Sequence, residues 1–285
     1  MAYGLDFPAF AERKTQLASH AIIPPLVTVE HRADSHHLQP IGNRWTRQLF
    51  DGDFYLLAPP LDLPAVSLIF VRSRDGNTVV PNPATLGGGP TDMHLIYEGL
   101  SRVAADAVLA GAATVGKRVF FSVWHPEILA LRREFGLPRH PAQAVLSREG
   151  HVNLEDALLF NVPEVPVFLI THETSLPRLQ QALAVRPWIT VVPLVGDDLV
   201  DAFRRLRRDH GIERISVVGG RTAATALTAA GLTQDLCLTT TAFDGGRPQT
   251  PFYTGAHPPA LDVIVRKQGT GESPITFEHF SMLNV

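Results

Sequence analysis

From residue 65 onward the hydrophobic pattern consists of short apolar runs separated by amphipathic segments. Residues 65–71 (Ala-Val-Ser-Leu-Ile-Phe-Val) form a β-branched apolar run, which predicts a buried strand. Further buried strands are predicted at residues 106–110, 142–146, 165–171, 188–194 and 215–218. Helices are predicted at residues 93–105, 125–135, 176–184 and 197–211, and after Gly219-Gly220. Alternating strands and helices are typical of an α/β fold with a mostly parallel central sheet flanked by helices.

The two ends of the chain depart from this alternation. Strands are predicted at 235–242, 261–267 and 275–280 without intervening helices, so we expect an antiparallel C-terminal portion. Residues 1–62 are broken by prolines, yet they contain a cluster of aromatic side chains that is unlike a disordered tail: Trp45, Phe50, Phe54 and Tyr55. We predict an ordered N-terminal extension, residues 1–62, packed on a main body of residues 63–285. Its expected place is a subunit interface or the cover of an active site.

Two local details follow from the same pattern. Thr91 or Asp92 is expected to cap the helix at 93–105, because a short polar side chain at that position accepts a hydrogen bond from the first turn. The helix at 197–211 opens with two aspartates, carries arginines in its last turns and stops at Gly211. We interpret those arginines as a solvated face rather than as a ligand site.

The Gly219-Gly220 turn is the strongest candidate for ligand binding. It joins a buried strand to an alanine-rich helix, and glycine lets the backbone approach a ligand closely. The start of that helix offers unpaired N–H groups and a partial positive charge, which suit a phosphate, and Arg221 and Thr222 add a cation and a hydroxyl. A plain strand–glycine–helix connection is the alternative.

A second glycine turn follows the strand at 106–110. Gly111 to Lys117 has the spacing G-x-x-x-x-G-K, but Arg118 stands where a Ser or Thr hydroxyl would ligate magnesium. Residues 119–123 also look like a strand, whereas a triphosphate loop opens a helix. Thr114 follows Gly111 closely. This turn and the Gly219-Gly220 turn are expected to bind the two halves of a dinucleotide at the carboxyl edge of the sheet.

Composition narrows the function further. The 285 residues are 45% hydrophobic and carry a net charge of −3, which gives no basic field for nucleic acid or anionic membranes. No apolar run is long enough for a membrane helix and the N-terminus lacks signal-peptide features, so a cytoplasmic location is expected. The single cysteine, Cys237, excludes an intramolecular disulfide and is expected to be buried and inert. The 12 histidines show no recognised ligand spacing, so no metal site is expected. Neither G-x-G-x-x-G nor G-x-S-x-G occurs.

The order of three motifs resembles the reductase domain of riboflavin biosynthesis, the C-terminal part of the bacterial bifunctional deaminase-reductase. That family ends its first strand in S-x-D-G, matched by residues 73–76, and continues into L-R-A-x-S-D-A-I-L-V-G-A-G-T-V, matched by residues 100–115. Its late motif V-E-G-G-P-T-L corresponds to residues 217–223. The resemblance covers residues 65–268 and implies a dihydrofolate-reductase-like fold.

The resemblance also implies an activity and a set of site residues. It implies hydride transfer from NADPH that opens the ribose of an aminouracil ribosylamine phosphate, in a homodimer. The cofactor-binding residues that it implies are Gly111, Thr114, Val115, Gly219, Gly220, Arg221, Thr222, Ala223, Ala224 and Thr225. Asp75 is implied as a catalytic and substrate-binding residue, and Arg102 and Val218 are implied to contact the substrate.

The chain departs from the family on the substrate side. The family continues L-x-D-D-P-x-L-T-x-R after G-A-G-T-V, where this chain has Gly116-Lys117-Arg118-Val119, and Val218 stands where the family has Glu. For Lys117 and Arg118 two hypotheses remain: they contact phosphates of the ligand, or they are solvated cations. In the first case Arg118 is a candidate for selecting NADPH over NADH. Two alternatives therefore stand beside the riboflavin precursor reductase: a reductase of another pterin- or pyrimidine-like heterocycle, and a non-catalytic dinucleotide-binding protein.

Overall fold

The computed structural model of the protein describes residues 6–32, 38–80, 86–271 and 274–283. The strands of the described chain are β1 (Leu26–His31), β2 (Leu38–Ile41), β3 (Phe54–Leu57), β4 (Ala65–Arg72), β5 (Ala107–Gly111), β6 (Ala142–Leu146), β7 (Val167–His172), β8 (Ile189–Leu194), β9 (Arg214–Val218), β10 (Asp235–Thr240), β11 (Ala260–Gly269) and β12 (Thr276–Leu283). The helices are α1 (Phe7–Ser19), α2 (Arg44–Phe50), α3 (Gly89–Thr91 continuing as Asp92–Leu100), α4 (Pro126–Glu134), α5 (Leu176–Ala184), α6 (Leu199–His210) and α7 (Arg221–Ala229).

One large sheet organises the molecule, in the strand order β1-β11-β12-β10-β4-β9-β5-β6-β7-β8. The strands from β10 to β8 in this order are all parallel to one another. At the other end β10, β12, β11 and β1 pair antiparallel. The prediction of a mostly parallel sheet with an antiparallel C-terminal portion is therefore confirmed. The order also makes β5 and β9, which carry the two glycine turns, direct neighbours.

Helices cover both faces of the sheet, as expected for strands that read as continuous apolar runs. One core contains Leu95 and Ile96 of α3 and Ile128 of α4, packed against sheet residues such as Val108 and Val218. The other contains Phe203 of α6 and Leu227 of α7, packed against the opposite side. None of the described helices is both long enough and apolar enough to span a bilayer.

The N-terminal extension contributes to this architecture directly. Its strand β1 is the edge strand beside β11, and Phe7 of α1 packs on Phe120 with ring centroids 4.7 Å apart. Lys267 of β11 is 1% exposed and donates to Thr28 Oγ1 at 2.7 Å and to the carbonyl of Asp51 at 3.0 Å. The extension is thus tied to the main sheet by a strand ladder, by aromatic packing and by a buried ammonium group.

The helix at 197–211 forms as its terminal residues indicate. Asp198 is the N-cap of α6, its Oδ1 accepting from the Asp201 backbone N–H at 2.9 Å, and Gly211 ends the helix with φ 66°. Most other helix and strand boundaries agree with the predictions to within two residues. The hydrophobic period is therefore sufficient for the regular part of this fold.

Two local expectations are wrong. Residues 119–123 form no strand, because β6 already pairs with β5 and β7 on both sides. The buried side chain of Gln143 instead satisfies the Phe121 backbone, accepting from its N–H at 3.0 Å and donating to its carbonyl at 2.8 Å.

The second correction concerns the start of α3. Neither Thr91 nor Asp92 caps it, and Asp92–Leu100 is wound as a π-helix. The Thr91 hydroxyl donates to the carbonyl of Pro24 at 2.6 Å, and Asp92 accepts from Thr239 of β10. Both side chains make tertiary contacts, and a capping rule based on local sequence does not include such contacts. π-helical turns are frequent at functional sites.

Candidate active site

The two glycine turns lie against each other at the carboxyl edge of the sheet. Gly219 and Gly220 have φ of 82° and 88°, a region that side chains other than glycine rarely adopt. A Cβ placed on Gly220 would lie 3.2 Å from the backbone nitrogen of Gly111, and one on Gly219 would lie 3.5 Å from Thr114 Cγ2. The structure thus brings Gly111, Thr114, Gly219 and Gly220 together. Glycine is favoured at both positions by the positive φ, and at Gly220 a Cβ would also crowd the Gly111 backbone.

The first turn of α7 offers amide donors above these glycines. The N–H groups of Arg221, Thr222 and Ala223 have no intrahelical partner, because a helix leaves its first donors unpaired. The side chains of Arg221 and Thr222 are partly buried and exposed, respectively. Amides, a guanidinium and a hydroxyl at a helix N-terminus suit a diphosphate.

The remaining predicted cofactor residues have other roles in the structure. Ala224 is 0% exposed and its N–H donates to the Gly220 carbonyl at 2.9 Å, so it has no free group for a ligand. Ala223 is buried too, and only its amide is free. The Thr225 hydroxyl accepts from the Thr254 backbone N–H at 3.1 Å, fixing the long β10–β11 connection on α7. Val115 is partly buried and follows the 3₁₀ turn Ala112–Thr114. The structure does not support Ala224 as a cofactor contact.

Asp75 is exposed in the turn after β4 and braces the same β10–β11 connection. Its Oδ2 accepts from the Gly245 backbone N–H at 2.6 Å. The turn is further held by Asn77, whose amide donates to the Gly245 carbonyl at 3.1 Å. Asp75 therefore has a structural hydrogen bond and lies in an exposed turn.

A cavity of about 490 Å³ opens beside this turn, at the carboxyl end of β10. Its walls come from the glycine-rich start of α3, from Thr241 to Phe243 and from the β11–β12 connection. The backbone N–H of Arg74 donates to the Phe243 carbonyl at 2.9 Å, so the cavity adjoins the turn that carries Asp75. A volume of this size accommodates a small heterocyclic ligand.

Asp92 lies behind this wall, next to the lining residues Gly88 and Thr91 but not itself part of the lining, and was not identified as a site residue from the sequence. Its Oδ1 accepts from the Thr239 hydroxyl at 2.5 Å, and Gly88 packs against it so closely that a Cβ there would lie 2.7 Å from Asp92 Cβ. Burial raises the pKa of Asp92 to about 6, although hydrogen bonds from Thr239 and the Gly88 backbone act in the opposite direction. A carboxyl group that titrates near neutrality beside a cavity is a candidate proton donor.

Two of the three predicted substrate contacts, Arg102 and Val218, lie in the core instead. Arg102 is 2% exposed, its guanidinium carbon is 3.9 Å from the Tyr97 ring centroid, and it donates to the Ser122 carbonyl at 2.7 Å. Val218 is 2% exposed and packs in the core on the α3 side of the sheet. Neither side chain reaches the cavity surface, so the structure does not support them as substrate contacts. A motif match cannot distinguish an arginine in a site from one stacked in the core.

One buried polar cluster was missed by reasoning from spacing along the chain. Asp235, Cys237 and His279 place one ligand-type atom each within 4.8 Å of one another, because β10 and β12 pair antiparallel with Cys237 opposite His279. His279 Nε2 bonds to Asp235 Oδ2 at 2.7 Å, and burial raises the pKa of the Cys237 thiol. The Asp–His bond uses only Nε2 of His279, whose buried Nδ1 has no hydrogen-bond partner among the described residues, and the protonated Cys237 thiol is inert.

Comparisons with known proteins agree on one family. The model of the RibD C-terminal domain matches residues 75–262. No curated protein sequence matches significantly. A pyrimidine reductase-like protein of Corynebacterium diphtheriae is similar in structure with a TM-score of 0.62 and 21% identity, over 78% of this chain and 93% of that chain.

Two further solved structures share the fold. RibD of Acinetobacter baumannii gives a TM-score of 0.59 at 16% identity, over 79% of this chain and 59% of that chain. The riboflavin biosynthesis reductase Rib7 of Saccharomyces cerevisiae gives 0.53 at 14% identity, over 79% and 92%. The chain therefore matches a little over half of the Acinetobacter protein and nearly all of the other two.

Proposed function

Since the chain belongs to the RibD C-terminal domain family, we propose that it is an NADPH-dependent reductase of a pyrimidine-type substrate. The observation that carries this proposal is the close approach of the Gly111 turn to the Gly219-Gly220 turn, which we call the cradle, where a Cβ on Gly220 would lie 3.2 Å from the Gly111 backbone nitrogen. The proposal includes a small-molecule substrate, and a homodimer in the cytoplasm.

The residues at the cradle fit a dinucleotide. The amides at the start of α7 would bind the diphosphate, with Arg221 and Thr222 adding charge and a hydroxyl. The Thr114 side chain faces Gly219 and would donate to a phosphate or ribose oxygen. The nicotinamide half would extend toward β4 and β10, where the cavity and Asp75 lie. The chemistry that the cofactor supplies when bound is hydride transfer.

The chain contributes positioning and a proton. The cavity walls would hold the acceptor carbon of the substrate beside the cofactor. Asp92 keeps a proton on its carboxyl group up to about pH 6 and can donate it to a nitrogen or oxygen of the substrate. Asp75, at the rim, is the candidate for orienting the substrate.

The preferred substrate class is the aminouracil ribosylamine phosphate of riboflavin biosynthesis, whose ribose would be opened to a ribityl chain. A second candidate is another pterin- or pyrimidine-like heterocycle. It is favoured by the burial of Arg102 and Val218, because these two family substrate positions do not reach the cavity. The third hypothesis is that the chain is a non-catalytic dinucleotide-binding protein.

Titration and turnover distinguish these candidates. Fluorescence titration with NADPH should give saturable binding for all three. Consumption of NADPH with the aminouracil phosphate is expected only for the first, and consumption with another heterocycle only for the second. Binding without turnover across a panel of both substrate types would favour the non-catalytic protein. Absence of NADPH binding would contradict the proposal itself.

A further inference from the structure

A cluster of potential metal ligands lies in the core, and none of its members lines the cavity beside Asp92. Asp235 and Cys237 of β10 and His279 of β12 place one ligand-type atom each within 4.8 Å of one another. All three side chains are buried, and Asp235 and His279 are 44 positions apart along the chain. The antiparallel pairing of β10 with β12 assembles the cluster, so the spacing of histidines in the sequence does not reveal it.

The hydrogen bonds of this cluster leave one nitrogen unused. His279 Nε2 bonds to Asp235 Oδ2 at 2.7 Å, whereas the buried Nδ1 of His279 has no hydrogen-bond partner among the described residues. Buried polar atoms are almost always paired, and a bound ion is one of the explanations where one is not. The cluster is therefore incomplete as a purely hydrogen-bonded unit.

The three donors are those that zinc prefers. Thiolate, imidazole and carboxylate are its usual protein ligands, whereas calcium and magnesium take oxygen ligands. Tetrahedral zinc holds its ligand atoms about 3.5 Å apart. The separations in the cluster, from 2.7 Å to at most 4.8 Å, reach that value by small side-chain rotations.

A divalent ion also balances the charge of the cluster. The thiolate of Cys237 and the carboxylate of Asp235 each carry −1, and a neutral imidazole adds nothing. The resulting complex has no net charge, which avoids the large cost of burying an unpaired charge in an apolar core.

The surroundings of the cluster suit a closed site with one water ligand. Ile69 of β4 and Val265 of β11 are the strand partners of Cys237 and His279 and flank the cluster with apolar side chains. Ser67, the β4 partner of Asp235, lines a cavity of about 20 Å³. Such a cavity has room for one water molecule, and zinc with three protein ligands takes a water as its fourth.

We propose that Asp235, Cys237 and His279 bind one zinc ion, which ties β12 to β10 and so to the parallel part of the sheet. The inference is independent of the proposed function, because none of these side chains belongs to the proposed cofactor or substrate site. As the bond from Sγ to zinc forms, the thiol of Cys237 releases its proton to solvent. The imidazole keeps one proton, on the nitrogen that does not bind zinc. Without the ion the thiol stays protonated.

Metal titration of the full chain tests the site. The chain is first treated with a chelator and then titrated with Zn²⁺ or Co²⁺. We expect one ion per chain, and calorimetry in buffers of different ionisation enthalpy should show release of about one proton per ion. Co²⁺ should give a sulfur-to-cobalt charge-transfer absorption in the near ultraviolet and the visible bands of tetrahedral cobalt. Zn²⁺ at about a hundredfold excess over its Kd should raise the melting temperature by about 5 °C.

Three variants and one control assign the ligands. Cys237→Ser changes the side-chain volume little and should abolish both the charge-transfer absorption and the rise in melting temperature. His279→Gln and Asp235→Asn keep a hydrogen-bonding group at each position and should raise the Kd for Zn²⁺ at least about tenfold. His151→Gln is the matched control, because His151 is an exposed histidine that pairs with Glu149 at 3.1 Å. It represents metal binding by a surface histidine–carboxylate pair, and its loss should leave the titration unchanged. Thermal melts of the metal-free variants establish that each is folded.

The outcomes decide between a built site and other causes. Uptake of one ion per chain, with a sulfur band that Cys237→Ser abolishes, supports the inference. The inference is overturned if the metal-free wild type takes up neither ion, or if Co²⁺ binds without the sulfur band. It is also overturned if His151→Gln, rather than the three cluster variants, loses the ion. The wild-type titration decides the matter should a variant fail to fold.

NADPH titration of the metal-free chain separates this inference from the proposed function. NADPH binding without zinc uptake overturns the zinc site and leaves the proposed reductase in place. Zinc uptake without NADPH binding supports the zinc site and contradicts the proposed reductase.

Discussion

Replacing Gly220 with alanine tests the cradle on which the proposed site depends. Gly220 has φ 88°, and an L-residue with a Cβ costs about 1–2 kcal/mol in such a left-handed conformation. The new Cβ would also lie 3.2 Å from the Gly111 backbone nitrogen and 3.4 Å from its Cα. Those atoms belong to the end of a central strand and cannot rotate away. We therefore expect Gly220→Ala to lose about 2–3 kcal/mol of unfolding free energy.

Gly231, just past the other end of α7, provides a matched control. Its φ is 69°, but a Cβ there would meet no atom within 4 Å. Gly231→Ala should therefore pay only the backbone cost, about 1 kcal/mol. The difference between the two variants isolates the close approach of the two glycine turns from the general cost of alanine at positive φ.

Urea unfolding and NADPH titration are the two assays. Gly220→Ala should raise the Kd for NADPH more than about tenfold, because the methyl group fills the cradle and shifts the α7 amides. Gly231→Ala should bind NADPH like wild type. The reasoning would be refuted if Gly220→Ala were as stable as Gly231→Ala and bound NADPH normally.

Three further predictions concern titrating and hydroxyl groups. The raised pKa of Asp92, about 6, means that the folded chain holds this proton more tightly than the unfolded chain, so stability falls as pH rises from about 4 to 6. Asp92→Asn should remove that part of the pH dependence, about 1–3 kcal/mol in urea unfolding, and should impair turnover. Burial lowers the pKa of Lys267 to about 8. Between about pH 8 and 10 the folded chain has lost this proton while the unfolded chain still holds it, so the stability rises with pH. Lys267→Met should flatten this rise. Thr114→Val should keep the melting temperature but raise the Kd for NADPH about three- to tenfold, as for a lost hydrogen bond.

Each of these predictions has a contradicting result. An unchanged stability difference between pH 4 and 6 in Asp92→Asn would show that this carboxyl group does not titrate abnormally. If the stability of Lys267→Met rose between pH 8 and 10 as much as that of the wild type, the buried Lys267 ammonium would not be the cause of the rise. If Thr114→Val bound NADPH with unchanged affinity, the Thr114 hydroxyl would not contact the cofactor.

The sequence predicted the two glycine turns well because short-range patterns determine them, and the cofactor contacts assigned to these turns stay a prediction. A buried strand, two glycines and an alanine-rich helix can form only a tight strand-to-helix turn, and the Gly219-Gly220 segment does so. The contact with Gly111 then follows from the pairing of β5 with β9. The carboxyl edge of a parallel sheet brings such turns together without further information.

The substrate side could not be predicted in the same way. Asp92 was placed as a helix cap, and its role depends on Thr239 of β10, 147 positions along the chain. Arg102 and Val218 matched family positions by sequence, but packing on Tyr97 and in the core removes both from the cavity. Tertiary contacts between distant segments decide which polar residues are buried, and local patterns do not contain them.

The residues of the N-terminal extension show the same limit in another form. Their aromatic content predicted order, and Phe50 and Phe54 are buried in the core. Nothing local indicated that β1 would join the main sheet beside β11, or that Lys267 would be buried against Thr28. Antiparallel pairing between the two ends of the chain depends on contacts between segments that are far apart in the sequence.

A crystal structure of the protein soaked with NADPH tests the central claim most directly. The diphosphate oxygens should lie about 2.9 Å from the first amides of α7, beside Gly220, with the nicotinamide toward the cavity at the end of β10. A cofactor bound elsewhere on the sheet, or a cradle left empty at saturating NADPH, would contradict the account.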